Sequence, residues 1–145
     1  MATIVRDVPV DAPADRVWDA VRDVGAVHRR LIPGYVLDTR VEGDVRHLTM
    51  PGGTVIRELI VSVDDALRRL AYSAVEGFTL PLTHHHASFQ VVTEDDARCR
   101  LVWTTDVLPH ELADQVRLRV TRGAQVMKAT LEAPVTAPWP QGPQP

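Results

Sequence analysis

The sequence predicts one α+β domain in which a curved antiparallel sheet closes around a long C-terminal helix. Three observations point there. Most residues between Tyr35 and Val107 fall into runs with period-two alternation, broken by short turns. Residues from Leu112 to Leu131 switch to a helical period. The 145 residues, 45% of them hydrophobic, suffice for one core and not comfortably for two.

Each element has its own signature. Residues 3–10 (TIVRDVPV) mix β-branched residues with charges and read as the first strand. Asp11-Ala12-Pro13 looks like a helix entry with Asp11 as N-cap. Ala14, Val17, Trp18 and Val21 then share one face of a short helix, which Gly25 interrupts. A second short helix spans 26–31 and stops at Pro33-Gly34. Residues 35–42 and 45–50 flank Gly43-Asp44 as a hairpin. Residues 54–63 (TVIRELIVSV) form the most apolar strand and 69–76 the next. After the loop 77–83 (GFTLPLT), residues 84–93 and 98–107 make a last hairpin. Leu112, Val116, Val120, Ala124, Met127 and Leu131 then line one side of a helix of roughly 20 residues. The segment 134–145 (PVTAPWPQGPQP) is proline-rich and is expected to be a disordered tail behind a domain of residues 1–133. Seven strands joined mostly by tight turns imply a meander, and only the last helix is large enough to cover one face of it.

The composition excludes several functions. A net charge of −3 and a pI near 6.0, with arginines interleaved among acids, argue against a nucleic-acid partner. The single Cys99 allows no intramolecular disulfide. The N-terminus has no signal-peptide h-region and no apolar run reaches membrane-spanning length, so a cytoplasmic protein with no membrane insertion is expected. No nucleophile triad, phosphate-cradling loop or dinucleotide fingerprint appears, and no cofactor is expected. His84 and His86 share a strand face, but no third ligand at useful spacing joins them, so no metal site is expected. A monomer and a homodimer are both compatible with the sequence.

The element order, with the residues that carry it, resembles the START-like (SRPBCC) superfamily, and within it the polyketide cyclase/dehydrase and lipid-transport family. The matching stretches are Ala12-Pro13, Val17-Trp18, Val21 and Asp23, then Pro33-Gly34-Tyr35, then Arg57-Glu58, Asp64 and Arg68-Arg69-Leu70-Ala71-Tyr72. Glu76-Gly77 and Leu101-Val102-Trp103 complete the series, which covers about residues 3–133. The resemblance implies a helix-grip fold with an internal cavity. Such a fold constrains the class of ligand rather than the activity, because relatives include lipid carriers, cyclases and hormone receptors. It also places mobile gates over the cavity at Pro51-Gly52-Gly53 and at 77–83, although neither stretch carries the receptors' gate motifs.

Strand alternation nominates the residues that face inward. On strand 98–107 these are Cys99, Leu101, Trp103, Thr105 and Val107, because the opposite choice would bury two arginines. On strand 84–93 they are His85, Ala87, Phe89 and Val91, which should meet Val116, Val120 and Ala124 of the helix. Strand 54–63 is ambiguous. Apolarity favours Val55, Leu59, Val61 and Val63 inward, whereas the resemblance favours Ile56 and Glu58, since a glutamate at the matching position lines the pocket in hormone receptors of this fold. Tyr35, Leu37, Thr39, Val41 and His47 are expected on the opposite wall.

Glu58 and His85 are the candidates for chemistry. A carboxylate and an imidazole in an apolar cavity could act as acid and base. The same pair could instead orient a guest's hydroxyl or carbonyl, or satisfy each other. The leading expectation is therefore a module binding a small hydrophobic, lipid-, polyketide- or aromatic-like molecule. The alternatives are a cyclase or dehydratase using Glu58 and His85, and a protein-interaction module using outward His84, His86, Arg98 and Arg100.

Overall fold

Alternating apolar and polar residues build seven strands, and in the computed structural model, which describes residues 1–134, these pair into a single antiparallel sheet. The elements are β1 (Ala2–Val10), α1 (Ala14–Arg22), α2 (Val27–Arg30), β2 (Asp38–Glu42), β3 (Val45–Thr49), β4 (Val55–Asp64), β5 (Arg69–Glu76), β6 (His84–Thr93), β7 (Cys99–Leu108) and α3 (Ala113–Glu132). The strand order is β1-β7-β6-β5-β4-β3-β2, so β2 to β7 form a meander and β1 closes onto β7. This is the α+β architecture that the sequence predicts. The proline-rich tail expected beyond Pro134 lies outside the described residues.

Local chemistry shifts two boundaries. Pro13, not Asp11, precedes the first turn of α1, and the Asp11 backbone N–H donates to Glu132 Oε2 at 2.8 Å, tying the loop to the end of α3. The strand expected from Tyr35 begins only at Asp38. The Ile32 carbonyl accepts the N–H groups of Tyr35 (3.2 Å) and Val36 (3.1 Å), so the Pro33-Gly34 turn runs on through residues that alternate like a strand. Gly34 supports that turn at φ +87°.

Helices α1 and α3 cover the concave face. Trp18 is buried, and its indole N–H donates to Asp65 Oδ1 at 3.0 Å, pinning α1 to the β4–β5 turn. Along α3, Ala113, Val116, Val120, Gly123, Ala124, Met127 and Leu131 are buried, which is the apolar stripe that the helical period marks. The core forms two clusters. One gathers α1, α2 and the C-terminal half of α3; the other gathers Ala2, Ile4, Val107, Ala113, Val116 and Val120. Trp103 packs against both.

Strands β5 and β6 part company half-way. Their ladder runs from Arg69↔Gln90 to Tyr72↔Ala87 and then stops. Beyond it the two strands are stitched by one side chain each: the Ser73 hydroxyl donates to the His85 carbonyl, and the Ala74 N–H donates to His85 Nδ1 at 3.0 Å. The 77–83 loop leaves β5 at this splayed end through Gly77. Its φ is +88°, and a Cβ there would sit 2.1 Å from the Val55 carbonyl oxygen.

Candidate functional site

Between the sheet and α3 lies a cavity of roughly 230 Å³. Its floor is the inner face of the central strands. Ile56 and Glu58 come from β4, Tyr72 and Ala74 from β5, His85 and Phe89 from β6, and Trp103 and Thr105 from β7. Val116, Val120 and Met127 of α3 form the roof, and Phe78, Thr79, Leu80 and Leu82 of the 77–83 loop close one end. Arg119 of α3 donates a hydrogen bond to Thr79 and so holds that loop against the helix.

An aromatic row crosses the floor. The Phe89 and Trp103 rings stack at 5.0 Å, Tyr72 stacks on Phe89 at 5.8 Å, and His85 tilts against both Tyr72 (5.8 Å) and Phe78 (6.4 Å). The chain has only two Phe, two Tyr and three Trp, and four of these seven line the cavity. Concentrating scarce aromatic surface here provides flat, polarisable walls for a planar guest.

Polar groups converge at one place. Arg46 and Glu58 face each other as direct cross-strand partners, and Arg46 Nε donates to Glu58 Oε1 at 2.8 Å. Both are buried, at 3% and 7% exposure, where only a paired charge is tolerated. The guanidinium also lies 5.1 Å from the centre of the Tyr72 ring. The Tyr72 hydroxyl accepts the Trp103 indole N–H at 3.1 Å. Burial, and then the nearby Glu58 charge, push the Tyr72 pKa well above its ordinary value, so the phenol keeps its proton. Burial, followed by the neighbouring His86 and His84, lowers His85 to about 4. Neutral at pH 7 and accepting from Ala74 at Nδ1, His85 carries its proton on Nε2.

Of the residues nominated from the sequence, Ile56, Glu58, His85, Phe89, Trp103, Val116 and Val120 sit on the cavity wall. Ala87 and Ala124 are buried in the surrounding core instead. The other wall needs correcting. Tyr35 and Leu37 are 37% and 55% exposed, and the neighbouring Val36 turns inward in their place. Thr39 is on the concave side, but its hydroxyl meets His28 Nδ1 at 2.9 Å under α2. His47 faces away, with Nε2 3.2 Å from Glu42 Oε1. The two-residue Gly43-Asp44 turn sets Thr39 opposite Leu48 and Val41 opposite Arg46, so the inward set on β3 is Arg46 and Leu48. Of the two expected gates, 77–83 contributes four side chains, whereas at Pro51-Gly52-Gly53 only the preceding Met50 reaches the wall.

Arg46, Tyr72 and Arg119 are polar lining residues that sequence reasoning did not nominate, whereas Phe78 falls within the expected 77–83 gate and Thr105 among the expected inward residues of its strand. Arg46 faces inward because hairpin register sets it opposite Val41, whereas the sequence predicts His47 inward instead. The ambiguity on β4 falls on the side of Glu58, because Val55, Leu59, Val61 and Val63 are each at least 40% exposed. Cys99 is buried and its thiol pKa is raised by that burial, which leaves it a packing residue. On the outer face, Arg98 lies 3.5 Å from Asp11, and Arg100 lies 3.2 Å from Glu94 and also contacts Asp7.

A family model described as polyketide cyclase / dehydrase and lipid transport matches residues 1–134. The chain belongs to this polyketide cyclase/dehydrase and lipid-transport family. The fold of this family member is shared with solved structures. The protein XoxI from Bacillus cereus superposes with a TM-score of 0.77 at 21% identity, covering 91% of this chain and 94% of that one. A Thermobifida fusca protein solved by NMR gives 0.76 at 31% identity, with 91% of each chain covered. Norcoclaurine synthase from Thalictrum flavum, in complex with dopamine and hydroxybenzaldehyde, gives 0.70 at 23% identity over 90% of this chain and 84% of that one. No curated protein matches the sequence. Among the described residues no helix is long and apolar enough to cross a membrane.

Proposed function

We propose that this family member binds one small, apolar, largely aromatic molecule between the sheet and α3. The observation that carries the reading is the combination of an aromatic-walled cavity with a few converging polar groups, the usual make-up of a ligand site. The space is smaller than the roughly 300–1,000 Å³ of sites for drug-sized ligands, which favours a guest of one or two rings over a long acyl chain.

The geometry favours binding over proton transfer. Glu58 is engaged by Arg46, and the basic nitrogen of His85 is occupied by the Ala74 N–H. Among the described residues no hydrogen bond or ion pair joins Glu58 to His85. Neither group is therefore poised as a free base, although general acid–base catalysis requires one within reach of the reacting proton.

The test uses the neutral fluorophore N-phenyl-1-naphthylamine. The expected result is saturable binding at one site per chain, abolished in Val120→Phe, which fills the roof, while that variant's circular dichroism stays native. Absence of saturable binding, together with no bound mass in native mass spectrometry of freshly purified protein, would overturn the reading.

A further inference from the structure

We infer that the cavity prefers a neutral guest bearing a hydrogen-bond acceptor, such as an aromatic ketone, over the corresponding carboxylate, and that Arg46 and Thr105 set this preference. The inference rests on the proposed binding role and deepens it by naming the chemistry of the guest.

Two orphaned polar atoms in the cavity wall carry it. Arg46 Nη1 and the Thr105 hydroxyl are both fully buried, and among the described residues neither has a hydrogen-bond partner. Their side chains belong to residues only 3% and 2% exposed. Both line the same space. Both atoms present almost no surface to the cavity, but buried polar groups left unpaired are costly, so a small side-chain rotation that lets them meet a guest's polar atom is favoured. Two further donors face the same chamber. His85 has its proton on Nε2, and the Tyr72 hydroxyl, having accepted from Trp103, has its own proton left to give. The wall thus offers donors to an acceptor such as a carbonyl oxygen.

Charge decides which acceptor. Around the orphaned atoms charge is balanced, because Arg46 is neutralised by Glu58 and His85 carries no charge at pH 7. Arg119, the other cation on the lining, is exposed and held at the loop end by Thr79. A carboxylate seated at the orphaned atoms would bring a second anion beside Glu58 in a low-dielectric space. A ketone fills the donor positions without disturbing the pair. The thermodynamic benefit of an uncharged acceptor is modest in size but selective, because a hydrocarbon leaves both orphans unsatisfied.

Three isosteric two-ring probes separate the cases: 2-acetylnaphthalene, 2-naphthoate and 2-ethylnaphthalene, each titrated calorimetrically into the full chain at pH 7.5. The expected order places the ketone about tenfold tighter than both the carboxylate and the hydrocarbon. In Thr105→Val, which keeps the side-chain shape, the ketone's advantage over the hydrocarbon should shrink by about threefold while hydrocarbon affinity stays within about twofold. Tightest binding by the carboxylate would overturn the inference, because a cation of the lining, Arg46 or Arg119, would then be open to an anion. Equal affinity for ketone and hydrocarbon would overturn it too, while leaving the cavity reading intact. If neither neutral probe binds, both readings fall. A Thr105→Val effect equal on all three probes would remove Thr105 from the assignment.

Discussion

Arg46 and Glu58 show what a single buried residue costs and what its partner returns. Facing each other across β3 and β4, they are tolerated at 3% and 7% exposure because each neutralises the other. Arg46→Met should therefore destabilise the fold by about 3–5 kcal/mol, since it strands a buried carboxylate. The double variant Arg46→Met, Glu58→Gln should recover most of that loss. Urea unfolding of the two variants measures it, and equal destabilisation by both would mean that packing, not charge pairing, holds this place. Residue-level reasoning from the sequence located Glu58 only through the family resemblance. Its partner was missed because His47, the next residue along β3, was expected to face inward.

At the scale of elements, the seam between β5 and β6 and the contact between α3 and β7 shape the cavity. His85 replaces the missing ladder at the splayed seam and does so as a neutral acceptor. Its pKa falls from 6.5 to about 4 on folding, so the unfolded chain takes up a proton that the folded chain refuses. The His85 contribution is fully retained above pH 6.5 and is lost as the pH falls from 6.5 toward 4. His85→Gln keeps an acceptor without that titration, and its stability should decline less than the wild type's across this interval in unfolding experiments. The second contact is at Gly123, where a Cβ would lie 3.2 Å from the edge of the Trp103 ring. Gly123→Ala should gain about 1 kcal/mol of helix propensity and give it back in that contact, leaving the melting temperature nearly unchanged. The ring edge, pressed toward the cavity, should weaken binding of N-phenyl-1-naphthylamine several-fold. Unaltered affinity would show that Trp103 yields in another direction.

For the whole molecule, the cavity is a stability reserve. The two core clusters meet through Trp103, and the space between them interrupts the packing that would otherwise join them. A guest that binds only the folded chain should raise stability by about 2.7 kcal/mol at a concentration of 100 Kd. For a chain of this size that corresponds to an increase in melting temperature of about 5–10 °C, readable by differential scanning calorimetry with saturating 2-acetylnaphthalene. No shift at saturation would mean that the ligand binds the unfolded chain as well as the folded one.

The number, order and approximate ends of the elements were legible in the chain because period two and period 3.6 are local signals. The inward faces of β6, β7 and α3 were legible too: burying the alternative set would have meant burying Arg98 and Arg100. On β4 local signals misled, because the more apolar set faces outward and Glu58 faces in. On β2 and β3 the missing information was hairpin register, which exchanged His47 for Arg46, and the persistence of a turn, which exchanged Tyr35 and Leu37 for Val36. Only the tertiary structure decided these points. Whether a charge can be buried, and whether two strands stay paired along their length, depends on partners supplied by other strands and not on the segment itself.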